Sequence, residues 1–508
     1  MLKDTSKKNL GVFNEEQSSY RQIFKATSLF GGVQVVNILI GIVKNKFVAV
    51  LLGATGVGIF GLLNAPLQLI LSVTGLGITF SAVRDISEAH ASNDQTKLAK
   101  AIITLRRWSW FAGLLGVVLT ATLAPFLSKW TFGDYEYTWA FIWLSVTLLL
   151  QTISKGQIAI LQSLRRLKDL AKASVFGSLV GLFTSVPMYY FFGVNGIVPS
   201  LVATAVTTTI LSWNYSRKVK IELVKMSFHD TFHYGENMVK LGLVITITGI
   251  VGFLTSYILN ASINRIGGVD QVGLYNAGWN VIGQSTSLVF TAMTTDYFPR
   301  LSAVNQDEDK IRVLVNQQAE MVILILSPII ILLIGAMPVI IRLLYTSAFL
   351  PVVIFANWTL LSILLKGLVW PIGFIFPAKG DVKTFGLIEI SAAFFNILTN
   401  ILGYYLYRLE GLGISFILNY MFGLVLYLVF ANKKYGFKYE KMTLRQFYIS
   451  LLFVLVAFSI SYFIDQPVSY LFLAVVFIVT FSYTLFELNK KAGLKTVFTR
   501  FLGRLPRK

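Results

Sequence analysis

The sequence predicts an all-α integral membrane protein with 14 transmembrane helices, built as two six-helix lobes and two C-terminal helices. Three observations predict it. The 508 residues are 55% hydrophobic, only 13% charged and average +0.69 in mean hydropathy, whereas soluble domains carry ~25% charge. Apolar runs long enough to cross a bilayer, ~20 residues each, recur along most of the chain. Lys and Arg concentrate in alternate connecting segments, as cytoplasmic loops require.

The runs fall at 26–50, 56–83, 108–128, 138–160, 173–193, 196–216, 240–262, 273–298, 319–342, 350–377, 384–407, 411–431, 446–464 and 467–487. With the N-terminus in the cytoplasm, the inner segments hold 37 of the 44 basic residues. Both termini are then cytoplasmic. The organisation reads as an N-terminal segment 1–25, an N-lobe 26–216, an inter-lobe loop 217–239 and a C-lobe 240–432. Spans 13 and 14 with their preceding loop occupy 433–487, and a basic tail 488–508 follows. The connections expected outside are short, which argues against a catalytic domain there.

Several chemistries are excluded. There is no cysteine, so no disulfide, thiolate catalysis or thiolate metal site exists. His229 and His233 lie four apart beside Lys225, Asp230 and Glu236 and read as a solvated loop, with no metal expected. No nucleotide-binding, hydrolase or metalloprotease motif falls in a usable context. The first twenty residues lack an apolar stretch, so no cleavable signal is expected. The reading is a non-enzyme that needs no cofactor and binds no nucleic acid.

An internal repeat stands behind the two lobes. At an offset of about 215 residues, Lys25 matches Lys240 and Asn45 matches Asn260. Val57-Gly58-Ile59-Phe60 matches Val272-Gly273-Leu274-Tyr275, Arg84 matches Arg300 one position later, and Asp94 to Lys97 matches Asp307 to Lys310. Six spans separate the copies, an even number, so the repeats are parallel. Such lobes face each other across a central cavity and suit alternating access.

Charge and amide groups inside a bilayer are costly, so each is a functional candidate. In span 1, Asn37 and Lys44 share a face with Gln34 and Gly41, and Lys46 follows. Two readings stand for the lysines: snorkelling to headgroups, or facing a wet cavity. Lys366 lies near the middle of span 10, too deep to snorkel, with Pro371, Gly373 and Pro377 beyond it. Asn276, Asn280 and Gln284 recur every four residues in span 8 and serve either sugar binding or helix-to-helix bonding. Asn64 and Gln68 form a shorter pair in span 2. Glu389 and Asp296 are solvated acids or coupling-ion sites. Lys25 and Lys240 mark the cytoplasmic mouth. The deep charges placed this way are mostly cationic, which favours an anionic substrate with phosphate chemistry.

Lys46 to Phe60, Val272 to Tyr275, Phe298 to Ser302, Phe374 to Lys379 and the Arg165 to Lys172 loop together resemble Wzx-type flippases, over residues 24–432. These belong to the multidrug/oligosaccharidyl-lipid/polysaccharide flippase superfamily. The resemblance implies a V of two parallel lobes around a cationic lumen. It further implies transfer of an undecaprenyl-pyrophosphate-linked oligosaccharide, an O-antigen-like unit of lipopolysaccharide, between leaflets. Lys46 and Lys366 are then the first candidates for the pyrophosphate, with membrane lipids and polysaccharide assembly proteins as partners. The rivals are another polysaccharide or lipid II flippase, and a multidrug cation antiporter.

Overall fold

The computed structural model describes the backbone of residues 2–92, 94–219 and 224–492. It describes the side chains of 33, 36–90, 92, 94–219, 224–236, 238, 239, 246, 249–287, 289–291, 293 and 297–491. Every long element among the described residues is a helix. In chain order they are α1 (Leu2–Gly75), α2 (Ile78–Ala91), α3 (Gln95–Phe132), α4 (Thr138–Ser163), α5 (Leu167–Phe192), α6 (Ile197–Ser216) and α7 (Phe228–Gly267). There follow α8 (Val269–Ala303), α9 (Glu308–Leu344), α10 (Val352–Gly373), the short α11 (Ile375–Ala378), α12 (Val382–Tyr435), α13 (Lys441–Phe463) and α14 (Val468–Ala492). Nine stretches of the described residues are long and apolar enough to cross a membrane. The chain forms two compact units, residues 1–257 and 258–508.

Several long stretches are hairpins. In α1 the backbone leaves helical geometry at Gly53 (φ 66, ψ −163). The Lys44 ammonium then lies 5.9 Å from the centre of the Phe60 ring. Along a straight helix these residues would be ~24 Å apart, so the chain folds back. In α12 the break is at Tyr407 and Arg408. Across it Thr399 meets Asn419 and Ser415, and Phe395 stacks on Phe422 at 4.1 Å. The arms approach so closely that a Cβ on Gly411 would sit 1.9 Å from the Gly403 carbonyl oxygen. Such contacts of small residues hold helices together in lipid, where apolar burial adds little between them.

The backbone carries the repeat more clearly than the side chains do. Gly53 and Gly268, Arg165 and Gly380, and Gly193 and Arg408 all have positive φ, and each pair is 215 residues apart. Asp94 caps α3 by accepting from the Lys97 N–H, and Asp307 caps α9 by accepting from the Lys310 N–H. The same acidic residue satisfies the same free helix-end donor in each unit.

One break has no counterpart. Leu76 and Gly77 also have positive φ, which splits the stretch 56–83, read as one span, into the end of α1 and the separate α2. Glycine adopts that conformation without a Cβ penalty. At the matching positions the second unit has Thr291 and Ala292, and α8 continues without a break. A second difference concerns His229 and His233, which fall on the first turns of α7 instead of a loop and are exposed. No group of three metal-binding side chains occurs among the described residues.

The C-terminal helices α13 and α14 pack along α9, fastened by buried polar groups. Asn316 Oδ1 accepts from the Glu440 N–H (2.9 Å) and lies 2.7 Å from the Thr443 hydroxyl. Glu320 meets Thr443 at 2.9 Å and pairs with Lys491. Gln446 donates to Glu487 at 3.3 Å.

Candidate functional site

In the first unit the break at Leu76 and Gly77 opens a cavity of about 190 Å³. Its lining includes Gln68, Ser72, Gly75, Trp108, Thr152 and Lys155. Gln68 donates to Asn64 one turn earlier, at 3.2 Å; of this pair Gln68 borders the cavity and Asn64 does not. The cation there is Lys155 of α4, exposed into the cavity, rather than Lys44 or Lys46. Sequence reasoning missed Lys155 because it stands at the end of a span and enters the cytoplasmic total of basic residues. The signal that could have found it is the run Thr152-Ile153-Ser154-Lys155-Gly156-Gln157, polar and small inside an apolar span.

Lys366 occupies the middle of α10, half-buried. Its ammonium lies 4.5 Å from the centre of the Phe290 ring, a cation–π contact that stabilises a cation without neutralising it. No carboxylate reaches it among the described residues. Trp370, one turn on, packs on Phe290 (5.5 Å) and Tyr297 (5.7 Å). The Tyr297 hydroxyl donates to the Pro371 carbonyl (2.8 Å), so a carbonyl in the last turn of α10 is satisfied. Trp358 faces elsewhere, with its indole N–H donating to Glu410. The two units differ here in a systematic way. Gly75 and Lys155, which border the cavity of the first unit, correspond at the 215-residue offset to Phe290 and Trp370. In the second unit these positions hold an aromatic pair in ring contact.

The other predicted residues have definite places. Lys44 is half-buried over Phe60, and Lys46 is half-buried and has an interaction partner of its own. Asn37 binds α5 twice, donating to Ser174 (2.7 Å) and accepting from Ser178 (2.9 Å). Asn276 donates to Asn260 across the hairpin at Gly268 (2.9 Å), and Asn280 bonds the Tyr345 hydroxyl. Both amides therefore join helices. Gln284 is half-buried on the same face. Glu389 accepts from the Tyr427 hydroxyl at 2.5 Å. The side chains of Lys25, Lys240 and Asp296 lie outside the described residues.

The helical order, the hairpins and the duplicated turns define a multi-pass membrane protein built on a repeated unit. The fold is similar to an inward-facing multidrug resistance MATE family transporter of the MOP superfamily. That likeness has a TM-score of 0.64 at 13% identity, over 79% of this chain and 94% of that one. It is also similar to the lipid II flippase MurJ in an inward closed conformation, with a TM-score of 0.59 at 14% identity over 94% and 99% of the two chains. A MOP superfamily transporter from Pyrococcus furiosus matches with a TM-score of 0.56 at 13% identity over 84% and 93%. None of the curated proteins matches. Residues 90–354 match the polysaccharide biosynthesis protein family. The chain belongs to that family, as the resemblance in its sequence led us to expect.

Proposed function

We propose that the protein flips an undecaprenyl-pyrophosphate-linked oligosaccharide across a bacterial inner membrane by alternating access. The observation that carries this reading is Lys366, a lysine in the middle of a membrane helix with an aromatic face beneath it and no carboxylate within reach among the described residues. A half-buried cation so placed attracts an anion that enters from water. Lys155, opening into the polar cavity of the other unit, supplies a second cation, and Gln68, Ser72 and Thr152 supply groups for hydroxyls. Membership of a polysaccharide biosynthesis family supports a glycan cargo. Glu389, which accepts from the Tyr427 hydroxyl, is a coupling-ion candidate.

The test is transfer in proteoliposomes of a defined undecaprenyl-pyrophosphate oligosaccharide, beside lipid II and beside the same glycan on undecaprenol without phosphate. The pyrophosphate-linked glycan should cross, and K366M and K155M should slow it. Transfer of the phosphate-free lipid at the same rate would overturn the cationic reading. Preference for lipid II would shift the substrate to peptidoglycan precursors.

A further inference from the structure

The turn at Arg408 places an arginine where the fold calls for glycine. Arg408 has φ 52 and ψ −134. Its partner in the repeat is Gly193, with φ 55 and ψ −134. The preceding residues agree as well, Tyr407 at φ −131 and Phe192 at φ −113. The two turns are one design, and glycine fills it without strain. A side chain in that region of φ and ψ is costly and persists only where the surroundings impose it, often at binding sites.

Arg408 borders a cavity of about 480 Å³ in the second unit, together with Gln271, Tyr404 and Glu410. One guanidinium N–H donates to the Ile266 carbonyl at the end of α7 (3.0 Å). The side chain is otherwise exposed, with its guanidinium 5.8 Å from the centre of the Tyr404 ring. Glu410 is held by one oxygen, which accepts from the Trp358 indole (3.1 Å) and the Tyr462 hydroxyl (3.2 Å). Arg408 and Glu410 are two residues apart and line one space, yet they form no ion pair. Tyr404 is fully buried, and its hydroxyl has no hydrogen-bond partner.

We infer that this cavity binds a neutral, hydroxyl-rich ligand, a sugar unit. Donors on Arg408 and an acceptor on Glu410 stand apart in one space, and a polyol bridges both. The pull of Arg408 on an anion is offset by Glu410, and that of Glu410 on a cation by Arg408, so neither net charge is favoured. The inference deepens the proposed function and rests on it for the identity of the cargo: the turn lies on the side opposite the basic loops, so the site would receive sugars after transfer. The bland alternative is that Arg408 only caps the Ile266 carbonyl.

The experiment is titration of the purified full-length protein with maltotriose, chitotriose and inorganic phosphate, followed by tryptophan emission. Because Trp358 bonds Glu410, a sugar in the cavity should change its signal, and W358F should lose the change. At least one trisaccharide should give a saturable response that R408G and E410Q each weaken at least tenfold. R408G should melt at or above the wild-type temperature, because glycine suits the turn. A lower melting temperature for R408G means that the cap explains the arginine and overturns the inference. So does binding of phosphate alone, no response to either sugar, or unchanged binding by R408G. The binding assay needs no transport, so absent sugar binding with intact flipping refutes this site alone. Intact binding with no flipping refutes the proposed function.

Discussion

Removing Glu320 should loosen the C-terminal helices from α9, and the size of the effect follows from its surroundings. Glu320 is only 7% exposed and pairs with Lys491, whose side chain is 25% exposed. Breaking a buried pair by removing one partner costs about 3–5 kcal/mol, because the other charge is left alone. In E320A that charge is Lys491, which lies in the last described turn and can extend toward water, so about 2–3 kcal/mol is expected. K491M leaves the more deeply buried carboxylate with only Thr443 as donor, so its cost should be at least as large. The double variant E320L/K491M removes both charges and should return near wild type, since an apolar pair of similar volume is close to neutral. With about 2–4 °C per kcal/mol for a unit of this size, E320A should melt about 5–10 °C lower in detergent. Intrinsic fluorescence melting of wild type, E320L, K491M and E320L/K491M forms a double-mutant cycle, with E320A measured beside it. If both single variants melt within 1 °C of wild type, or if the double variant loses as much as the singles combined, the fastening role of this pair is wrong.

Three further outcomes follow. An ammonium ~4 Å from a phosphate is worth about 4 kcal/mol at an effective dielectric of 20; if water in the site halves this, K366M should slow flipping ~30-fold while K366R keeps most of the rate, measured in proteoliposomes. G411V should disrupt the α12 hairpin, because even a Cβ there meets the Gly403 carbonyl oxygen at 1.9 Å; a loss of folded protein on size-exclusion chromatography is expected, and normal yield and melting would refute the close approach. At Asp381, partial burial pushes the carboxyl pKa up, but hydrogen bonds from Lys434, Tyr435 and Thr384 outweigh it and hold the pKa well below the usual carboxylate value. A depressed folded-state pKa contributes stability that is full above the unfolded value of ~4 and is lost as pH falls. Wild type should therefore out-melt D381N by a constant margin from pH 8 to ~5, and the margin should shrink only below ~4.

The order of elements was legible because it rests on hydropathy runs and turn residues, which are local. The ends of the runs at 50/56, 193/196 and 407/411 bracket the observed breaks at Gly53, Gly193 and Arg408. The break at Leu76 and Gly77 was not legible, since an apolar run through two glycines has the same hydropathy as an unbroken helix. Of the site, Lys366 stood out because a lone charge in an apolar run is conspicuous by itself. Lys155 did not, because only the kink in a different helix turns a span-end lysine into a cavity residue. The amides at Asn37, Asn276 and Asn280 show the opposite limit: a polar stripe says that partners exist, but not whether they are ligand or neighbouring helix.

Arg408 is the case where the repeat itself becomes the measuring device. A lone arginine beside an apolar run carries no message, and positive φ at one residue could be local accident. Two copies of one turn with nearly the same dihedral angles, one holding glycine and one arginine, separate what the backbone needs from what the side chain adds. The same comparison places Gly75 and Lys155 against Phe290 and Trp370, a polar space against an aromatic pair. At the Arg408 turn the backbones match and the side chains differ, whereas just past Gly75 and Phe290 the backbone itself differs, broken in one unit and helical in the other. Exchanging Gly75 and Lys155 for their counterparts tests the polar space directly: G75F/K155W should fill the cavity of the first unit while leaving melting within a few degrees. The pair should abolish flipping if that space carries the substrate, and normal flipping by a folded variant would remove the cavity from the transport path.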